Sequence, residues 1–166
     1  MGEMAKKIAK LDLDMLINHL NQAYAEEWLA YYQYWLGAKM AAGVNRSAVV
    51  AEFEEHAEQE LKHANMIANR IIQLGGVPPL VPEEWSKLSR CKYMPPKNPD
   101  VRVLLEENLE AERCAIGRYE GICNITHGHD FETFRLSEKI LKEELQHEQE
   151  MEDFINDLDV MKKFLI

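Results

Sequence analysis

The sequence predicts an all-α fold, four long helices bundled together with one long crossover, and three observations support it. Apolar residues recur at steps of three and four over four long stretches, a proline-rich segment separates the first two stretches from the last two, and the second half of the chain restates the residue spacing of the first.

The first helix is expected over 12–42, where Ile17, Leu20, Tyr24, Glu27, Tyr31, Tyr34 and Ala38 fall on one face. The segment GVNRS (43–47) reads as a turn, with Ser47 the expected cap of a second helix over 47–74. Its stripe is Phe53, His56, Glu60, His63, Ile67, Ile71 and Leu74, and Gly75 and Gly76 end it. The crossover spans 75–99 and holds all 6 prolines of the chain, which excludes a long helix. Within it PEEWSKL has the proline start and acidic first turn of a short helix, expected at 83–88. Asp100 opens a third helix over 100–126, with Val101, Leu105, Asn108, Glu112, Ala115, Tyr119 and Ile122 in register. After THGHD comes a fourth over 130–163, carrying Ile140, Glu144, His147, Met151, Phe154 and Leu158. Helices of roughly 25–30 residues are about 40 Å long. Short links make antiparallel hairpins of the first and second pairs, and the crossover is long enough to return along the bundle. One domain over 1–166 is expected.

The formal net charge of −10 opposes a phosphate backbone, and Lys6, Lys7 and Lys10 are followed at once by Asp12 and Asp14. Nucleic acid is therefore not an expected partner, whereas cations are. No apolar run approaches the roughly 20 residues that span a bilayer, and the first residues lack the pattern of a secretion signal, so a cytoplasmic protein without membrane contact is expected. The cysteines, Cys91, Cys114 and Cys123, are odd in number and lack paired spacing, which does not indicate a disulfide framework.

The repeat carries the chemistry. Glu27 precedes Tyr34 by seven residues, as Glu112 precedes Tyr119; each pair is followed by a Glu-x-x-His, Glu60 with His63 and Glu144 with His147. Corresponding residues of the two halves are 84 or 85 positions apart. All six acid and imidazole residues occupy stripe positions where apolar side chains belong. Buried carboxylates are costly unless paired or bound to metal, and two of them 4 Å apart repel by about 4 kcal/mol at an effective dielectric near 20. Two divalent cations would cancel the four carboxylates, with His63 and His147 as neutral imidazoles completing the shells. This thiolate-free donor set suits iron, with manganese as the alternative, better than structural zinc.

At these residues the sequence resembles the ferritin-like superfamily, and its site pattern is similar to that of bacterioferritins; EWLAYYQY, ELKHA, LEAERCAIGRY and ELQHEQEM carry the likeness, which runs from about Leu13 to Leu158. The resemblance implies that Glu27 and His63 hold one iron, Glu112 and His147 the other, with Glu60 and Glu144 between them and Tyr34 and Tyr119 just outside. Three departures refine it. Leu61 stands where bacterioferritins have a haem-ligating methionine, so haem is not expected. Only 19 residues follow His147, short for a fifth helix. A short helix in the crossover is a feature of the Dps (DNA protection during starvation) proteins. Together these resemble the Dps-like ferritins, which implies a hollow homo-oligomer of twelve subunits. Some of these proteins keep a cysteine pair near the metals, and Cys114 could be one member. Its partner is left open, since nine residues of straight helix put Cys123 about 13 Å away; small core-filling thiols are the other reading.

His56, one turn from Glu60, reads as an accessory iron ligand or as a hydrogen-bonded core histidine, and His127 and His129 read as surface residues. Trp28, Tyr31, Tyr32 and Trp35 read as core and interface packing or, for the tyrosines, as electron donors near an iron site. The run Glu52, Glu54, Glu55 and Glu58 reads as a solvated face or as a surface that nucleates mineral. The expected function is a ferroxidase and iron store that oxidises two Fe(II) per subunit with hydrogen peroxide or dioxygen and protects against oxidative stress. The rivals are a rubrerythrin-like peroxidase or manganese catalase, and a Dps-type DNA-protecting scaffold.

Overall fold

The computed structural model describes residues 3–164; residues 1, 2, 165 and 166 of the expected 1–166 domain lie outside the described residues. Six α-helices follow in order: α1 (Glu3–Ile8), α2 (Leu13–Met40), α3 (Arg46–Gln73), α4 (Trp85–Leu88), α5 (Val101–Thr126) and α6 (Phe131–Phe164). A 3₁₀ turn, Pro82–Glu84, leads into α4. Among the described residues there is no strand, only an isolated bridge between Ala42 and Asp100. The architecture is the ferritin-like four-helix bundle with a long crossover containing a short helix.

Helix α2 packs along α3 and α5 along α6, and the two hairpins close on each other through α2 with α5 and α3 with α6. Two apolar clusters fill the bundle. One holds Tyr34, Phe53, Val101, Leu105, Met151 and Leu158; the other holds Leu16, Leu20, Ile67, Ile71, Ile122 and Ile140. Along each long helix the acid and histidine positions fall between the residues of these clusters, so the polar layer is clamped from both ends of the bundle.

Helix starts follow capping chemistry with one departure. Asp12 accepts from the Met15 amide and Asp100 from the Arg102 amide, each satisfying an otherwise unpaired N–H. Ser47 does not cap α3. The helix begins one residue earlier at Arg46, behind Asn45 in the left-handed region (φ 62°), and the Arg46 side chain donates to the Ala41 carbonyl at 2.7 Å. Asparagine tolerates that conformation better than most residues, which moves the turn upstream. At the other end of α3, Gly75 takes φ 83°, and the Gly75 and Gly76 amides bond the Ile72 and Ile71 carbonyls.

Helix α1 has no counterpart in the sequence reading. It is 6 residues long with no buried position, and the chain just after it is held by the Lys10 amide donating to the His129 carbonyl at 2.8 Å. The far end of the crossover is pinned by Ala42 N–H to Pro99 O (2.7 Å) and Val101 N–H to Ala42 O (2.9 Å). Among the described residues no helix is long and apolar enough to cross a membrane.

Candidate metal centre

Each of the four long helices delivers its polar residues to one level of the bundle. Glu27 comes from α2, Glu60 and His63 from α3, Glu112 from α5, and Glu144 and His147 from α6. None is more than 3% exposed, and that figure decides the chemistry, because water cannot solvate these charges. A spacing of three places Glu60 beside His63 and Glu144 beside His147 on one helical face.

The donors form two overlapping sets. Glu27, Glu60, His63 and Glu144 bring ligand atoms within 4.8 Å of one another, and so do Glu60, Glu112, Glu144 and His147. Glu60 and Glu144 belong to both. His63 Nδ1 lies 3.1 Å from Glu60, 3.1 Å from Glu144 and 3.4 Å from Glu27; His147 Nδ1 lies 3.3 Å from Glu60, 3.3 Å from Glu144 and 3.6 Å from Glu112. Glu27 Oε2, Glu60 Oε1, both Glu144 oxygens and His147 Nδ1 are buried with no hydrogen-bond partner. Inward-facing unpaired donors in a shared pocket are what a cation would satisfy, and carboxylate and imidazole without thiolate fit iron or manganese.

The outer partners are equally ordered. Tyr34 donates to Glu112, and Tyr119 donates to Glu27, so each tyrosine serves the opposite hairpin. His63 Nε2 bonds Glu143 at 2.7 Å, and His147 Nε2 bonds Gln59 at 2.8 Å. These contacts leave both Nδ1 atoms pointing inward. Glu143 and Gln59 were not singled out from the sequence; the available signal was that each immediately precedes the glutamate of a Glu-x-x-His.

Without cations the cluster balances its own charge. Burial, then the neighbouring Glu60, pushes the Glu27 carboxyl well above its usual range, and burial with Glu144 does the same to Glu112. Burial also acts upward on Glu60 and Glu144, but the adjacent imidazoles outweigh it and hold both low. Burial disfavours charged His63 and His147, yet the surrounding carboxylates win and hold both well above the usual imidazole range. The carboxylates thus favour protons on the two imidazoles, and incoming divalent cations would exchange with protons. The Tyr34 and Tyr119 hydroxyls are pushed up by burial and by Glu112 and Glu27 respectively, which keeps them as donors.

A cleft between α2, α5 and the crossover reaches this pocket. Ala30, Gln33, Cys91, Tyr93 and Ala111 line its outer part, and Glu27, Glu60, Glu112 and Glu144 its floor. The crossover is fastened over it. Trp85 stacks on Trp28 with centroids 5.1 Å apart, Glu26 accepts from the Arg90 amide and pairs with Arg118, and Gln33 accepts from the Met94 amide while donating to Asn108.

A disulfide completes the fastening and corrects the cysteine reading. Cys91 in the crossover is bonded to Cys114 on α5, with Cα atoms 5.7 Å apart, while Cys123 is free and buried. The odd count hid one pair and one core thiol. Sequence spacing does not reveal the pair, because 23 residues and a change of direction separate Cys91 from Cys114 and the returning crossover makes them close.

The remaining candidates separate clearly. His56 is buried, its Nε2 lies 3.0 Å from Glu150, and burial and nearby His147 lower it to about 4, so the ring is neutral. His127 and His129 are exposed. Glu54, Glu55 and Glu58 form a solvated face, with Glu54 paired to Lys39, whereas Glu52 turns toward His56. Tyr32 and Trp35 are exposed and stacked on each other, while Trp28 and Tyr31 are partly buried and packed edge to face.

Residues 17–161 match the family described as ferritin-like domain. The chain is 35% identical over 147 residues to the DNA protection during starvation protein of Pyrococcus furiosus, covering 87% of this chain and 79% of that protein. Its fold superposes with a TM-score of 0.97 on a dodecameric thioferritin, the bacterioferritin-related protein of Bacteroides fragilis, at 48% identity over 99% of both chains. A ferritin-like, diiron-carboxylate protein of Bacillus anthracis is also similar, with a TM-score of 0.74 and 28% identity over 86% of this chain and 96% of that one. With the fold, the repeated Glu-x-x-His and these likenesses together, the chain belongs to the ferritin-like family, among the Dps-like ferritins.

Proposed function

We propose that this protein is a ferroxidase and iron store that protects against oxidative stress. The observation that carries the reading is the pair of overlapping donor sets sharing Glu60 and Glu144, with unpaired buried atoms turned into the space between them. In this reading Glu27 and His63 bind one Fe(II), Glu112 and His147 bind the other, and Glu60 and Glu144 bridge them. Manganese suits the same donors.

The irons are substrate and cargo, and they supply the electrons. Hydrogen peroxide takes one electron from each of two Fe(II) and, with two protons, leaves as two waters; dioxygen used instead takes the same two electrons and two protons and leaves as hydrogen peroxide. The side chains fix the two ions in reach of one oxidant molecule. Tyr34 and Tyr119 hold the terminal carboxylates, Glu143 and Gln59 orient the imidazoles, and the cleft beside Cys91 admits substrates. Likeness to the dodecameric Bacteroides fragilis protein supports a hollow dodecamer, and we place it in the cytoplasm.

The test is Fe(II) oxidation by peroxide in wild type and in Glu60→Ala, which lacks one bridging carboxylate. The variant is expected to lose rate by at least tenfold, as loss of a ligand does; equal rates would refute the reading. A rubrerythrin-like peroxidase or manganese catalase would keep a fixed two metals per chain, so ferric iron retained in excess inside the particle separates storage from turnover.

A DNA-protecting scaffold is favoured by one observation, the name of the Pyrococcus furiosus relative. Against it stands the net charge of −10, and Lys7 on α1 is already paired with Glu3 at 2.8 Å. A salt-sensitive gel shift would support it.

A further inference from the structure

The cleft that reaches the dinuclear donors is narrow. Its free volume is about 30 Å³, and a single water needs roughly 10–15 Å³ counted the same way, so it takes about two waters or one molecule of two heavy atoms. Leu29 and Ala30 of α2 and Ala111 and Ala115 of α5 form apolar walls, above the floor of Glu27, Glu60, Glu112 and Glu144. Glu27 Oε2, Glu60 Oε1 and both Glu144 oxygens are buried without a hydrogen-bond partner, so the passage ends on residues with ligand atoms to spare.

The walls repeat as the ligands do. Ala30 follows Glu27 by three residues and Ala115 follows Glu112 by three, which puts only a methyl group beside each terminal carboxylate on its helical face. A longer side chain at either position would fill the space. The rim is fixed to both helices. Glu26, 6% exposed, accepts from the Arg90 amide at 2.8 Å and is paired with Arg118 of α5 at 2.7 Å. Gln33, 4% exposed, accepts from the Met94 amide at 2.8 Å and donates to Asn108 of α5 at 3.0 Å. Between these anchors Cys91 is bonded to Cys114. Buried polar groups whose partners are supplied hold one geometry, so the opening keeps its width.

We infer that this cleft is the oxidant's route to the dinuclear pocket and selects the oxidant by size, with Leu29, Ala30 and Ala115 as specificity-determining residues: hydrogen peroxide and dioxygen pass, and alkyl hydroperoxides do not. The inference rests on the ferroxidase reading. An alkyl hydroperoxide carries the same O–O bond. Tert-butyl hydroperoxide takes one electron from each of two Fe(II) and, with two protons, leaves as tert-butanol and water. Its four carbons are what the cleft has no room for, so the discrimination lies in access.

The experiment loads the full-length assembly anaerobically with two Fe(II) per chain, then mixes it with hydrogen peroxide or tert-butyl hydroperoxide in a stopped-flow spectrometer. Loading first removes iron entry from the measured rate, and free aqueous Fe(II) supplies the intrinsic reactivity of each reagent. Relative to that reference, wild type is expected to favour hydrogen peroxide by about a hundredfold, within the range over which a close-fitting pocket discriminates by size. L29A is expected to gain about tenfold with tert-butyl hydroperoxide, and A115L to lose about tenfold with hydrogen peroxide. Both variants are expected to bind two Co(II) per chain, as wild type does, because no donor is altered. Equal relative rates for the two reagents in wild type, or rates unchanged in both variants, would overturn the inference while leaving the ferroxidase reading intact. No oxidation by either reagent in wild type would overturn the ferroxidase reading and this inference with it.

Discussion

Tyr34 on α2 donates its hydroxyl hydrogen to Glu112 on α5, 78 residues away in the opposite hairpin, and Tyr119 makes the reciprocal bond to Glu27. Each bond commits one oxygen of a terminal carboxylate, and at Glu27 the second oxygen is left unpaired toward the pocket. The crossed pairing explains why the spacing from glutamate to tyrosine is the same in both halves: each hairpin supplies a donor for the other's carboxylate.

Tyr34→Phe keeps the ring packed against Phe53 and removes only the hydroxyl. The fold is expected to persist and divalent-metal affinity to fall about tenfold, as loss of outer contacts to metal ligands does. Anaerobic Fe(II) titration with circular dichroism as the folding control checks it.

The two imidazoles differ in what holds them, a carboxylate at His63 and an amide at His147. An anionic partner raises the basicity of the ring it orients. Glu143→Gln is therefore expected to weaken the ion bound by His63 about tenfold, while Gln59→Glu strengthens the one bound by His147. Competition titration against a chelator measures both, and opposite signs of the two effects are the signature.

Arg70, 3% exposed, is paired with Asp130 at 2.7 Å and bonds Thr133. Burial raises the Asp130 carboxyl, but Thr133 and Arg70 outweigh it and hold it below its ordinary 3.8. A carboxyl lowered by folding gives stability that is fully present above 3.8 and is lost as pH falls through the lower folded value. Asp130→Asn is expected to cost about 3–5 kcal/mol near neutrality by leaving a buried cation unpaired. In urea melts the gap between variant and wild type should narrow as the medium is acidified below that range.

The Cys91–Cys114 bond closes a loop with a sequence separation of 23, for which the chain-entropy argument gives about 3 kcal/mol. Cys91→Ser, Cys114→Ser and reduction of the wild type are each expected to lower the thermal midpoint by a similar amount, and the double variant no further. Near-equality of the four is the check, because they remove one and the same bond.

Much of this architecture was legible because its signals are periodic. The stripe from Phe53 along α3 to its C-cap Leu74 is buried at every position read from it, and six prolines in one segment left little room for a fifth long helix. The repeat likewise singled out the six acid and histidine residues that the bundle brings together. Features set by contact rather than period were not legible. Cys91 meets Cys114 because the crossover doubles back, and α1 has no buried stripe to reveal it. The α3 cap moved from Ser47 to Asn45 because the preference for a left-handed turn and the Arg46–Ala41 bond outweighed a serine cap.

If the protein is the ferroxidase proposed above, four carboxylates are tolerated inside this bundle because two neighbouring cations belong there. Anomalous scattering from crystals soaked anaerobically in Fe(II) tests it most directly. Two adjacent iron peaks flanked by Glu60 and Glu144 are expected, one beside Glu27 and His63 and the other beside Glu112 and His147. A core empty of iron, with the metal bound only at surface acids, would contradict it.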